Sequence, residues 1–143
     1  AVIALVYIVN SIMGSISSQF GFELSIEIIL GYIFAPIAWL MGIPWSEAVI
    51  SGELLGIKTT LNEFVAYPAL AALENGELSE RSKLITFYSL CGFANLSSVG
   101  ILISGITAMA PERKDDLINV SFKALVGATL ASCMTGLIVG IFI

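Results

Sequence analysis

Histidine is missing from this chain altogether, and only 12% of its 143 residues carry charge. Without histidine, the commonest general base near neutral pH and the commonest metal ligand are gone. The two cysteines, Cys91 and Cys133, are too far apart for a Cys-x-x-Cys motif and sit among apolar residues, so free thiols are expected and a zinc site has no support. Basic residues are also scarce, six Lys and Arg against eleven Asp and Glu, and the net charge of −5 excludes a nucleic-acid-binding role.

What the chain has in abundance is apolar sequence, 57% hydrophobic with a mean hydropathy of +0.97. Several stretches approach the ~20 residues that a helix needs to cross a hydrocarbon core of ~30 Å. The expected class is therefore an all-α integral membrane protein. The chain opens inside a hydrophobic run, Ala1-Val2-Ile3-Ala4-Leu5, with no basic leader or signal-cleavage pattern, and is read as the C-terminal part of a longer protein.

Five segments are predicted. Residues 1–17 form the end of a transmembrane helix, stopped by Ser17-Ser18-Gln19-Phe20-Gly21. Residues 22–42 carry Glu27, Gly31 and Pro36 among clustered aromatics, which suits a helix lying in the membrane interface better than a kinked spanning helix. Residues 44–75 follow the Gly42-Ile43-Pro44-Trp45 turn, with Ser46 as the expected N-cap. Neither of their two arms is long or apolar enough to cross a bilayer, so a re-entrant hairpin with its tip near residues 62–63 is expected. Residues 79–110 contain Cys91-Gly92-Phe93-Ala94-Asn95-Leu96-Ser97-Ser98 at their centre, a composition that breaks a helix and supplies groups for the freed backbone. Residues 111–143 begin with Pro111 and a charged turn and form a last spanning helix, with Lys123 placed to snorkel. Arg81 and Lys83 balance Arg113 and Lys114 at the ends of the broken helix, so charge does not orient the fragment.

Glu63 is the most informative residue. A carboxylate at bilayer depth costs about 2.5–3.5 kcal/mol on insertion scales and is kept where a ligand, ion or partner charge offsets it. A re-entrant hairpin followed by a discontinuous helix, both presenting polar groups at mid-depth, is the layout of a secondary transporter's substrate site. Enzymatic hydrolysis lacks parts, because Glu63 has no second carboxylate at its depth and neither Cys91 nor Ser98 has a histidine to act as base.

The run Gly56-x-Lys58-x-x-x-Asn62-Glu63-Phe64-Val65-Ala66-Tyr67 resembles the signature of the concentrative nucleoside transporters, and Cys91 to Ser98 resembles that family's broken seventh helix. Residues 36–45 and 79–82 match in the same order. The resemblance implies half of an inverted-repeat transport core, with residues 1–17 ending the sixth helix and the seventh and eighth helices completing the chain. It implies a homotrimer in the plasma membrane that imports nucleosides on a sodium or proton gradient. Glu63, Asn95 and Ser98 would contact the ribose and Phe93 would pack near the sugar. The well-defined sodium site and most of the base recognition would belong to the N-terminal half. No cofactor is implied beyond the coupling ion.

The residues allow other roles. Glu63 could pair with Lys58, although five residues is poor helical spacing. Asn95 and Ser98 could serve only the broken backbone, Phe93 could be packing, Asn62 a hairpin-tip cap and Lys58 a solvated or snorkelling charge. Glu47 and Glu53 are expected to face water or the protein. For the whole, the competing reading is a non-transporting membrane receptor or assembly scaffold that retains the fold.

Overall fold

A computed structural model describes residues 2–21, 24–74 and 76–143. Residues 1, 22, 23 and 75, which the sequence reading places at the edges of the first helix, the interfacial helix and the hairpin, lie outside the described residues. Among the described residues the chain is helical and contains no extended sheet. The helices are α1 (Val2–Ser17), α2 (Ile26–Leu40), α3 (Trp45–Thr60), α4 (Glu63–Ala72), α5 (Glu80–Leu90), α6 (Leu96–Met109) and α7 (Lys114–Phe142).

Short side chains set the two closest helix contacts. α2 and α3 cross where Gly31 faces Gly52, and a Cβ on Gly52 would run into the Gly31 carbonyl and come within 3.0 Å of the Ala35 nitrogen. α5 and α7 meet where a Cβ on Gly136 would strike Ser89 Oγ and lie 2.5 Å from the Ile85 carbonyl oxygen. Larger residues at either crossing would separate the backbones and open the core behind them. That core gathers Phe34 and Ala38 of α2, Leu55 of α3, and Ile85 and Leu90 of α5.

Polar side chains complete the helix ends. Asn10 of α1 accepts from the Ile26 N–H at 2.9 Å and donates through Nδ2 to both carboxylate oxygens of Glu27 at 2.9 and 2.8 Å. It thereby satisfies an N–H that the first turn of α2 leaves without an intrahelical partner. Ser25 also caps α2, accepting from Ile28 N at 3.2 Å. At the other end of α2, Gly42 takes φ +94, a left-handed turn that favours glycine. The Gly42 carbonyl accepts from Arg81 Nη1 at 2.5 Å, while Nη2 of the same guanidinium donates to the Gly140 carbonyl at 2.7 Å. Arg81 thus ties the α2–α3 turn to the last turn of α7.

α3 starts at Trp45, directly behind Pro44, and Ser46 lies inside its first turn. This corrects the expected N-cap: proline's fixed φ, here −55°, leads the chain straight into the helix without a side-chain cap. Glu47 in that turn accepts from Ser79 Oγ at 3.0 Å and from the Ser79 N–H at 3.2 Å, binding the start of α3 to the start of α5. The helix spanning Pro111–Phe142 is long and apolar enough to cross a membrane, whereas Ile26–Leu40 and Leu96–Met109 are shorter apolar helices.

Candidate functional site

α3 ends at Thr60, and the two-residue turn Leu61-Asn62 leads into α4. Asn62 has extended backbone and its side chain accepts from Val65 N at 3.0 Å, the N-cap geometry that asparagine favours. Glu63 is therefore the first residue of α4, where the helix dipole favours a negative charge, and it is buried at 6% exposure.

The break between α5 and α6 is built the same way. Asn95 is extended and caps α6, its Oδ1 accepting from the Ser98 N–H at 2.7 Å and from Ser98 Oγ at 2.9 Å. Its Nδ2 donates to Glu63 Oε2 at 3.2 Å. This amide orientation is the only one that satisfies the network: a flip would set NH2 against the Ser98 N–H and a carbonyl oxygen against the carboxylate. Asn95 is 2% exposed. Two helix N-termini, from α4 and α6, thus converge on one carboxylate–amide contact.

Of the four residues the sequence singled out, Glu63, Asn95 and Ser98 are joined in one hydrogen-bonded chain. Phe93 is largely exposed and borders, with Asn95 and Ser98, an open cavity of about 230 Å³ that Ser121, Ala124 and Ala128 of α7 also line. Glu63 is not among the residues lining that cavity; its link to it runs through Asn95. A larger cavity of about 670 Å³ lies between α4 and α5, walled mainly by Tyr67, Leu70, Leu73, Leu84 and Phe87. It is lined by neither Glu63 nor Asn95, and its polar groups, Glu80 and Lys83, pair with each other at 3.5 Å.

Gly92 in the break packs directly on α7, since a Cβ there would collide with Ser132 Oγ. Beside it, Tyr67 of α4 donates its hydroxyl to Cys91 Sγ at 3.0 Å and packs its ring against Phe87, with centroids 5.0 Å apart. Lys58 corrects the sequence reading. It is neither solvated nor snorkelling but has no exposed surface, and Nζ donates to the Ser89 carbonyl at 3.0 Å. The sequence places a lysine near the end of α3, but only the packing of α5 and α7 around it decides that the side chain turns inward.

The family model described as "Na+ dependent nucleoside transporter C-terminus" matches residues 1–140. The chain is 42% identical to "Uncharacterized transporter YutK" of Bacillus subtilis, covering 100% of this chain and 35% of that protein. It is 41% identical to "Solute carrier family 28 member 3" of Mus musculus, over 99% of this chain and 22% of that protein. "Nucleoside permease NupC" of Helicobacter pylori is 45% identical over 85% of this chain and 30% of its own length. Among solved structures, "CNTnw N149L in the intermediate 2 state" superposes with a TM-score of 0.90 at 42% identity, over 99% of this chain and 36% of that one. CNTnw in an inward-facing substrate-bound state gives 0.84 at 41% identity, over 98% of this chain and 35% of that one. The chain spans about a third or less of the length of these proteins.

Proposed function

The chain belongs to the concentrative nucleoside transporter family, as its C-terminal region, and from that membership we propose that it forms the ribose-binding half of a cation-coupled nucleoside importer. The parent is a multi-pass protein of the plasma membrane. In this reading α3 and α4 enter the bilayer as a re-entrant hairpin, α5 and α6 form one discontinuous helix, and α7 spans. At 1.5 Å per residue the 16-residue α3 reaches about 24 Å, short of a ~30 Å hydrocarbon core, which accords with a tip held inside the membrane. The N-terminal half of the same transporter, supplying the sodium or proton site, and two further copies in a trimer complete the machine.

One observation carries the site assignment: the buried Glu63–Asn95 contact at which the two helix starts meet. An ionised glutamate offers only acceptors, suited to vicinal sugar hydroxyls, and asparagine offers both donor and acceptor. Ser98 Oγ extends the polar row and Phe93 supplies an apolar wall for the sugar face. The cavity of about 230 Å³ is smaller than the ~300–1,000 Å³ typical of small-molecule pockets, in keeping with a site that takes the sugar and leaves the base to the other half.

The test is uridine uptake into proteoliposomes by the full-length parent and its Glu63→Gln variant under a sodium gradient, a proton gradient and none. Gradient-driven uptake that the folded variant loses is the expected result and names the ion. No uptake under any gradient by well-folded wild type would overturn the reading in favour of a scaffold.

A further inference from the structure

α7 supplies none of the residues that the sequence singled out, yet it lines one side of the cavity of about 230 Å³. Ser121, Ala124 and Ala128 recur at the three- and four-residue spacing that places them on one face of a helix. Asn95, Ser98 and Leu102 do the same on the α6 side of the cavity. The two helices are joined by the short Pro111–Arg113 turn, and Asn95 and Ala128 lie about equally far along the chain from it. Ala128 is therefore the wall residue that stands opposite the Asn95 amide, with Ala124 and Ser121 successively nearer the turn.

This wall is short, and it cannot yield. Alanine has no side-chain rotamer through which to move aside, and the backbone that carries it is held in place. One turn further along α7, Ser132 Oγ donates to the Ala128 carbonyl at 2.9 Å, and a Cβ on Gly92 would collide with that same Oγ. The helix break and α7 are thus in close contact immediately beside the cavity, so Ala128 and Asn95 cannot draw apart without unpacking it. What α7 contributes is shape more than hydrogen bonding, since the Ser121 hydroxyl donates to the Leu117 carbonyl at 2.6 Å and so commits its proton within the helix.

We propose that Ala128 is a specificity-determining residue: its methyl group sets how large a substituent the sugar can carry where it meets Asn95 and Ser98. Free ribose hydroxyls are admitted, and nucleosides alkylated at the 2′ or 3′ oxygen are excluded. This rests on the reading of that cavity as the sugar site. A pocket wall that distinguishes a single methylene discriminates by about 10- to 200-fold in kcat/KM, so one-carbon changes at Ala128 and on the sugar are matched probes. The experiment is proteoliposome uptake by the full-length parent as wild type, Ala128→Gly and Ala128→Leu, under the driving gradient. Uridine, 2′-O-methyluridine and 3′-O-methyluridine are compared.

Wild type is expected to take up uridine at least about 10-fold more efficiently than either ether. Ala128→Gly vacates one carbon and should shrink that discrimination about 10-fold for at least one of the two ethers. Ala128→Leu extends the wall into the cavity and should raise the uridine KM about 10-fold or more in protein that melts close to wild type. Should Ala128→Leu not fold, Ala128→Gly decides alone, because a gain in uptake of the ethers cannot come from damage. An Ala128→Gly variant that gains no uptake of either ether overturns the proposal, as does wild type that takes up the ethers as well as uridine. Absence of uridine uptake by well-folded wild type, or uptake that Glu63→Gln leaves unchanged, would instead refute the sugar-site reading.

Discussion

Asn95 holds Glu63 by a 3.2 Å hydrogen bond from Nδ2 while its Oδ1 caps α6 through Ser98. The same side chain therefore starts one helix and fixes the carboxylate that starts another. In the proposed sugar site, ligand contact and the integrity of the helix break meet in one amide, and substitutions there should affect both.

Replacing Glu63 with Gln keeps the volume and removes the charge. Hydrogen bonds to charged groups contribute about 1.5–3 kcal/mol, so uridine kcat/KM should fall by about 10- to 100-fold. Competition between uridine and 2′-deoxyuridine should favour uridine in wild type, because the deoxy sugar leaves a buried acceptor unpaired, and this preference should shrink in Glu63→Gln. Equal uptake of the two sugars by wild type would refute the pose.

Asn95→Asp preserves an N-cap but sets a second carboxylate against Glu63, whereas Asn95→Ser preserves a cap without charge. Asp should therefore weaken uridine binding more than Ser at neutral pH. Titration calorimetry of the two variants checks the ordering.

Gly92→Ala should destabilise the parent by about 1–3 kcal/mol, since the new methyl enters space held by Ser132 Oγ. Ser132→Gly in the same protein should recover part of the loss by vacating that space. The comparison of melting temperatures for the single and double variants measures the coupling directly.

Arg81→Lys should lower the melting temperature even though the charge is kept. A lysine point charge cannot span the Gly42 and Gly140 carbonyls that the guanidinium fork reaches together. Unchanged melting would mean that one of the two contacts suffices.

The all-helical class and the family were legible from hydropathy and from the Asn62-Glu63-Phe64-Val65-Ala66-Tyr67 run, because lipid exposure and a charged residue amid apolar sequence both leave strong compositional marks. Asn62 as a cap was also legible, since its chemistry is local: the side chain bonds a backbone N–H three residues on. The inward turn of Lys58 was not, because it depends on a carbonyl 31 residues away and on α7 closing over it. The Arg81 fork joins positions 39 and 59 residues distant, and no local pattern encodes that. Ser46 is not the cap because Pro44, two residues earlier, already sets the entry to α3, a stronger constraint than serine's capping preference.

The attachment of α1 has a mechanical consequence. Leu5, Tyr7, Ile8, Ile12 and Ile16 point away from the rest of the chain, while Asn10 grips Glu27 and the Ile26 N–H. Resistance to swinging α1 about the start of α2 thus includes a few directional bonds, which break within an ångström or so of travel, beside the packing of buried Val6. A wide greasy contact would instead yield gradually. The Asn10 amide thus fixes sharply the point at which α1 meets the start of α2.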